Sequence, residues 1–267
     1  MSEASTGQAA LDVAALATIL EQATLTGTAV GKLTDRYPLD VPAAYRVQRE
    51  NIARRVARGE RIVGVKMGFT SKAKMIQMGV DDVIWGVLTD TMAVGADACD
   101  LSGLIHPKVE PEIVFRLGRR VSGADDDVEA AVDAVAVGIE VLDSRFEGYK
   151  FTLPDVIADN ASAAGFGIGP WHPMSAAGTP SIPDISNLPV TMAVNGQTVR
   201  TGSTAAILGD PWESLRSAAR LAAQDGIVLE EGWIVLAGGI TEAVPLASGA
   251  VVTVTAAELD TVELRTR

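Results

Sequence analysis

The stretch Lys108-Val109-Glu110-Pro111-Glu112, followed about thirty residues on by Glu140-Val141-Leu142-Asp143-Ser144-Arg145, decides how this chain is to be read. Glu110 and Glu112 sit two apart in an apolar segment, and that period-2 placement points both side chains to one face of a strand. Glu140 interrupts a second apolar segment, Val135 to Leu142. Buried carboxylates are costly unless paired or ligated. Three that converge need a counter-charge, and oxygen ligands of this kind suit a hard divalent cation, Mg2+ or Mn2+. The plainer alternative makes each a solvated residue or a salt-bridge partner of Lys108 or Arg145, which would leave a metal-free binding scaffold.

The 267 residues are 48% hydrophobic, enough for a substantial core in one large domain or two small ones. A formal net charge of -12 argues against nucleic-acid phosphate or an anionic membrane as a partner. An anionic substrate would need local positive charge. The single Cys99 cannot form an internal disulfide, no apolar run reaches transmembrane length, and Met1 to Gln8 lack the order of a signal peptide. These features predict a cytoplasmic protein.

Apolar residues at helical spacing predict helices over Leu11–Gln22 and Pro42–Arg58, the second entered at a proline and left at Gly59. From Ile62 short Val/Ile/Met runs punctuated by glycine predict strands and turns. Val128–Val137 is expected to form a helix leading into the Glu140 strand. Asp210-Pro211-Trp212-Glu213 is a helix start, with the helix running to about Gln224. Trp233–Ala237, Ala250–Thr255 and Thr261–Arg265 read as three strands, and Pro170 to Pro189 as a long connection. This order predicts an α+β chain.

Gly165-Phe-Gly167-Ile-Gly169 has the wrong spacing for a dinucleotide loop and runs into Pro170, so it is expected to be a tight turn. His106 and His172 lack metal-ligand spacing. Met67, Met75 and Met78 are expected as core filler rather than a pocket lining. Lys66, between Val65 and Met67, is either a snorkelling edge residue or a cation held in a pocket. Lys108 and Arg145 can neutralise the carboxylates or hold a substrate carboxylate. Asp143 is expected to orient a ligand or an arginine. Asp159-Asn160-Ala161-Ser162 reads as a turn or a helix cap.

Five motifs in order, Arg61-Ile-Val-Gly-Val-Lys66-Met-Gly-Phe-Thr70-Ser71, Glu110-x-Glu112, Glu140 to Arg145, Ala158 to Ser162 and Gly238-Gly239-Ile240-Thr241, span roughly two hundred residues. Together they resemble the 2-oxopentenoate hydratase and 4-oxalocrotonate decarboxylase family of the fumarylacetoacetate hydrolase superfamily. The resemblance implies a distorted mixed β-barrel carrying the metal (residues 76–267) with a smaller N-terminal α/β region (residues 1–75). It implies that Glu110, Glu112 and Glu140 hold the cation and that Lys66 faces the substrate. Lys108 is the second catalytic candidate, and Arg145, Ser162, Asp143, Ile84 and Gly239 are candidates for the substrate pocket. A homo-oligomer, with a pentadienoate hydratase as a further partner, is also implied.

A 2-oxo acid can chelate one cation through its carboxylate and keto oxygens. Loss of a distal carboxylate as CO2 then sends electrons through the double bond into the keto group, and stabilising the developing oxyanion is the main task. No organic cofactor is needed. The sibling hydratases carry an acid in a Pro-Asp-aromatic-Gly pattern that activates water. Here that run is Val83-Ile84-Trp85-Gly86, and an isoleucine cannot act as a base. Decarboxylation of 2-oxohex-3-enedioate is therefore the expected reaction and hydration of the pentadienoate the alternative, with Asp81 and Asp82 able to supply the acid after a small register shift.

Overall fold

The computed structural model describes residues 11–95, 98–123, 126–174 and 184–267. The expectations on Met1 to Gln8, and on part of the Pro170 to Pro189 connection, lie outside these residues. So does the side chain of Met78.

The chain opens with two capped helices. In α1 (Val13–Thr26) the Asp12 carboxylate accepts from Ala15 N, and Gly27, at φ 59°, closes the C-terminus in the left-handed conformation. In α2 (Val41–Ala57) Asp40 accepts from Ala43 N, and Pro42 sits in the first turn, where no amide partner is needed. Leu16, Ala17 and Leu20 of α1 and Ala43, Ala44 and Val47 of α2 share a core with Ile84, Phe146, Val156 and Ile157. Gln48, buried in α2, donates from Nε2 to Trp85 O (2.9 Å) and Ile157 O (3.1 Å), tying this helical layer to the sheet.

The main sheet is built from β1 (Ile62–Gly68), β2 (Ile84–Thr89), β3 (Lys108–Leu117), β4 (Val132–Leu142), β5 (Ala163–Ile168) and the short β6 (His172–Pro173). Among the described residues two α-helices lie between these strands, α3 (Lys72–Met78) and α4 (Leu153–Ala158). After β7 (Pro189–Val194), β8 (Gln197–Ser203) and α5 (Pro211–Gln224), the chain returns to it with β9 (Ile234–Leu236) and β10 (Val244–Pro245), then leaves in β11 (Val251–Ala256) and β12 (Thr261–Arg265). The order is β2-β1-β9-β3-β4-β5, with β10 added to β3 and β6 to β4. Among these pairs β1 with β9 is parallel and the others are antiparallel, so the sheet is mixed. A four-stranded sheet, β12-β11-β7-β8, packs against β4 and β5. The expected α+β class holds. β1 is hydrogen-bonded between β2 and β9, so it belongs to the main sheet, and a boundary at residue 75 would divide β1 from its neighbour β2.

Two expectations are corrected. Val128–Val137 is not a helix: one helical turn at Glu129–Ala131 gives way to β4 at Val132. Val132, Val135 and Val137 are β-branched and buried, and pairing with β3 outweighs the helical spacing of the alanines. Nor is Gly165–Gly169 a tight turn. Gly165 and Gly167 lie within β5, paired with β4. A Cβ at Gly169 would stand 3.3 Å from Val262, so the small residue there lets the second sheet approach, whereas one at Gly167 would meet Leu264 at 3.8 Å in ordinary contact.

The expected start of α5 is met: Asp210 accepts from Trp212 N at 3.0 Å, and the helix ends at Gln224. Glu213 does not close a capping box; it pairs with Arg216.

Candidate active site

β3 and β4 run antiparallel with Glu110 opposite Glu140 and Glu112 opposite Gly138, which places all three carboxylates on one sheet face. One oxygen from each lies within 4.8 Å of the others. Glu112 and Glu140 are fully buried and Glu110 is 4% exposed, so the solvated reading fails. Pro111, between two of them, turns its backbone away from β4: its carbonyl accepts from Ile240 N at 2.9 Å, and no N–H is needed on that side.

The cluster is poorly compensated by the protein alone. Glu112 Oε2 accepts from Gly238 N at 2.6 Å, but Glu112 Oε1 and both oxygens of Glu140 lack a hydrogen-bond partner. Lys66 Nζ lies 3.1 Å from Glu140 Oε2, close enough for an ion pair although its angle falls short of a hydrogen bond. Burial, then the charges of Glu140 and Glu110, push the Glu112 carboxyl well above its ordinary range. Burial likewise raises Glu140 to about 6, against the pull of Lys66. Three buried acid oxygens without donors and two carboxyls reluctant to ionise are what a hard cation would relieve, so the donor set fits a divalent ion.

The glycine pair Gly238-Gly239 closes over the carboxylates. Gly238 takes φ 119°, and a Cβ there would stand 2.0 Å from Thr70 Oγ1. A Cβ on Gly239 would stand 2.4 Å from Glu110 Oε2. Only hydrogen fits at either place.

Beside the cluster opens a cavity of about 540 Å3. Lys66, Lys74, Lys108, Glu110, Ile84 and Tyr149 are among its lining residues, as are Ser162 and Phe151. Lys66 is 3% exposed and donates to Ala161 O at 3.0 Å. Lys74, on α3, lies 3.3 Å from Glu110 Oε2, and Glu110, the nearest acid, pushes its ammonium pKa up. Lys108 Nζ sits 3.9 Å from the centroid of the Tyr149 ring, a cation held over an aromatic face. The His106 ring packs on the same tyrosine at 4.7 Å.

The Ala161 carbonyl is aimed by an uncommon backbone. Asn160, Ala161 and Ser162 all take positive φ, at 52°, 51° and 60°, a conformation that costs roughly 1 to 3 kcal/mol at each non-glycine residue.

Of the residues expected at the site, Glu110, Glu112, Glu140, Lys66, Lys108, Ile84, Ser162 and Gly239 converge on the cluster or the cavity. Arg145 and Asp143 do not line the cavity. The Arg145 guanidinium is held by the buried Asp159, through Oδ1 and the main-chain carbonyl. Asp143 pairs with no arginine among the described residues; its two oxygens accept from Ile105 N and His106 N at 2.9 and 2.8 Å and fix the entry to β3. Asp82 is engaged by Arg220 at 2.7 Å, and neither it nor Asp81 lines the cavity. Met67 is core, as expected.

Lys74, Tyr149 and Gly86 join the site although none is a candidate from the sequence: Ala73-Lys74-Met75 and Val83-Ile84-Trp85-Gly86 carry a family resemblance but assign no role to the lysine or the glycine. Lys74 follows the Ser71 N-cap by one turn, and Gly86 faces Lys66 in register across β1 and β2, a pairing legible only once the strands are aligned.

A mixed sheet carrying three inward carboxylates beside a lysine-lined cavity defines a class, and the chain belongs to it: residues 62–267 match the fumarylacetoacetate (FAA) hydrolase C-terminal family. Within that family it is 48% identical over 242 residues to a 4-oxalocrotonate decarboxylase of a Pseudomonas species, covering 90% of this chain and 92% of that one. A 2-keto-4-pentenoate hydratase of Paraburkholderia xenovorans is 35% identical over 86% of each chain. The fold superposes with a TM-score of 0.88 on 4-oxalocrotonate decarboxylase from Pseudomonas putida G7 complexed with magnesium and adipate, at 41% identity over 96% of this chain and 97% of that one. Among the described residues no helix is long and apolar enough to cross a membrane.

Proposed function

We propose that this protein is a divalent-metal-dependent decarboxylase that converts 2-oxohex-3-enedioate (4-oxalocrotonate) to 2-hydroxypenta-2,4-dienoate, a late step in meta-cleavage breakdown of aromatic compounds. The observation that carries the reading is the pairing of an under-compensated carboxylate cluster with a cavity lined by Lys66, Lys74 and Lys108, a place for one cation and a small dianion together.

Glu110, Glu112 and Glu140 would hold Mg2+ or Mn2+, which when bound supplies Lewis acidity toward the 2-oxo acid end of the substrate. Lys66 sets a positive charge against the oxyanion that develops as the bond to the distal carboxylate breaks and its electron pair passes through the double bond into the keto group. One proton is taken up at that oxygen to give the dienol. Lys108, anchored over Tyr149, draws the distal carboxylate into the cavity. Ile84, 3% exposed in the cavity wall, keeps an activating base for water out of the place where the hydratases carry one. The same reading includes a homo-oligomer, association with a pentadienoate hydratase and a cytoplasmic setting; for the two associations, sedimentation of the pure protein alone and mixed with such a hydratase is the direct measurement.

Incubation of the purified protein and Mg2+ with each substrate, following CO2 release and the dienol chromophore, tests the reaction. Stoichiometric CO2 from the hexenedioate is expected. Rapid hydration of the pentadienoate without CO2 release from the hexenedioate would assign the protein to the hydratases.

A further inference from the structure

We propose that Asn160 is a positioning residue for Lys66, acting through the left-handed turn Asn160-Ala161-Ser162 that it pins to the edge of β2. The inference rests on the reading of Lys66 as the cation that meets the developing oxyanion.

Three successive non-glycine residues at positive φ are more than a change of chain direction requires, and such a run persists only where its surroundings over-determine it. Here the surroundings are specific. Asn160 Oδ1 accepts from Val87 N at 2.7 Å, and its Nδ2 donates to Val87 O at 2.9 Å. β2 is the outermost strand of the main sheet, and the side-chain amide satisfies its free edge as the peptide of a neighbouring strand would. At the other end, Ser162 O accepts from Asp143 N at 2.9 Å. Before the turn, Asp159 accepts from Ser144 Oγ and Arg145 N, both at 3.1 Å.

The turn brings Ser162 to the cavity wall and delivers to Lys66 the Ala161 carbonyl, 3.0 Å from Nζ. A second observation points the same way. Gly86 lies opposite Lys66 in the β1–β2 register, and a Cβ there would stand 2.5 Å from Asn160 O and 3.1 Å from Lys66 Cδ. The turn and the lysine stem share one space that glycine alone leaves open. With its stem between Gly86 and the turn and its ammonium between Ala161 O and Glu140, a side chain of four rotatable bonds is left few conformations. Asn160 itself does not line the cavity beside the carboxylates, so its effect on the reaction passes through the groups the turn holds, and the Ala161 carbonyl on Lys66 is the contact that bears on the developing charge.

The test is a double-mutant cycle on the metal-loaded enzyme, joined to a chemical readout on the metal-free protein. Lys66→Ala should lower kcat by about a hundredfold or more, and Asn160→Ala by about tenfold with a smaller change in KM, the scale of a lost positioning contact. Asn160→Ala added to Lys66→Ala should cost nothing more. In the metal-free protein, acylation of Lys66 by an amine-selective reagent, mapped by mass spectrometry, should rise about tenfold in Asn160→Ala while exposed Lys72 reacts as before. Asn160→Asp keeps the acceptor for Val87 N and should recover part of both effects. Gly86→Ala should repeat the kinetic cycle and carries the test if Asn160→Ala does not fold. An inactive Lys66→Ala beside an Asn160→Ala with native kcat and native Lys66 protection overturns the inference alone, as does a loss that multiplies undiminished in the Lys66→Ala background. Native turnover in Lys66→Ala overturns the underlying reading of the lysine.

Discussion

Lys74 Nζ stands 3.3 Å from Glu110 Oε2, so one of the three clustered carboxylates already carries a counter-ion contributed by α3. Glu110 keeps that ammonium firmly protonated. A divalent ion entering the cluster must tolerate the lysine charge or displace it. Lys74→Met should therefore tighten Mg2+ binding, by roughly threefold because the side chain is 36% exposed and solvent screens part of the repulsion. Titration calorimetry on chelator-treated protein measures it, and weaker binding in the variant would show that Lys74 helps to assemble the cluster.

The buried carboxyls make a signed statement about pH. Glu140 titrates near 6 in the folded chain against 4.5 for the free group, so the native state holds its proton over a range where the unfolded chain has released it. Its contribution to the stability of the metal-free protein is present below about 4.5 and is lost as pH rises through 6. Glu112, raised further, extends the loss upward. Glu140→Gln removes one such titration. Without metal it should be the more stable protein at pH 7 and show a flatter dependence of Tm between pH 4.5 and 6. With Mg2+ the order should reverse, because the neutral amide oxygen of glutamine holds the cation less strongly than a carboxylate does.

Gly239→Ala places a methyl group 2.4 Å from Glu110 Oε2 and forces one of them to move. Since β3 holds Glu110 from a strand paired on both sides, the carboxylate is expected to rotate off its place. Mg2+ affinity should fall by about tenfold to a hundredfold, the usual range for groups that support metal ligands. Calorimetry reads the loss, and unaltered far-UV circular dichroism would confirm that the fold is intact.

Ile84→Asp puts a base into the cavity wall at the position where the family resemblance implies an acid in the hydratases. Product analysis should show some hydrated pentadienoate and slower CO2 release. Burying the carboxylate among Val156, Ile157 and Phe146 should lower stability by about 2 kcal/mol or more, read as a fall in the urea midpoint. Loss of all turnover without any hydration would mean that one acid does not make a water site.

Residues whose role follows from local spacing are legible in the sequence itself. The Glu110/Glu112 alternation, the Asp210-Pro211 helix start and the three C-terminal strands depend on neighbours within a few positions. Val128–Val137 reads as a helix because its alanines and acids mimic one, while β3, with which it pairs, lies earlier in the chain. The glycines in and after β5 look like a turn because the strand that packs against them, β12, comes roughly a hundred residues later. Arg145 reads as a pocket residue since the carboxylate run beside it is plain, whereas its true partner, Asp159, is hidden inside a motif that resembles a cap. Lys74 sits in a run, Ala73-Lys74-Met75, that carries a family resemblance but no sign of a role; its place beside Glu110 exists only after α3 folds back over the sheet.

Pro111 gives the strand between two of the clustered carboxylates a property that no other residue would. Its ring holds φ at about -65°, so Glu110 and Glu112 are spaced by a link that cannot twist at that bond, while Glu140 reaches the cluster from a separate strand. A cation held there would meet two carboxylates rooted on one stiff stretch of backbone and a third from the neighbouring strand, so a change of ionic radius would be taken up by rotation of the three side chains while the β3–β4 pairing stays as it is.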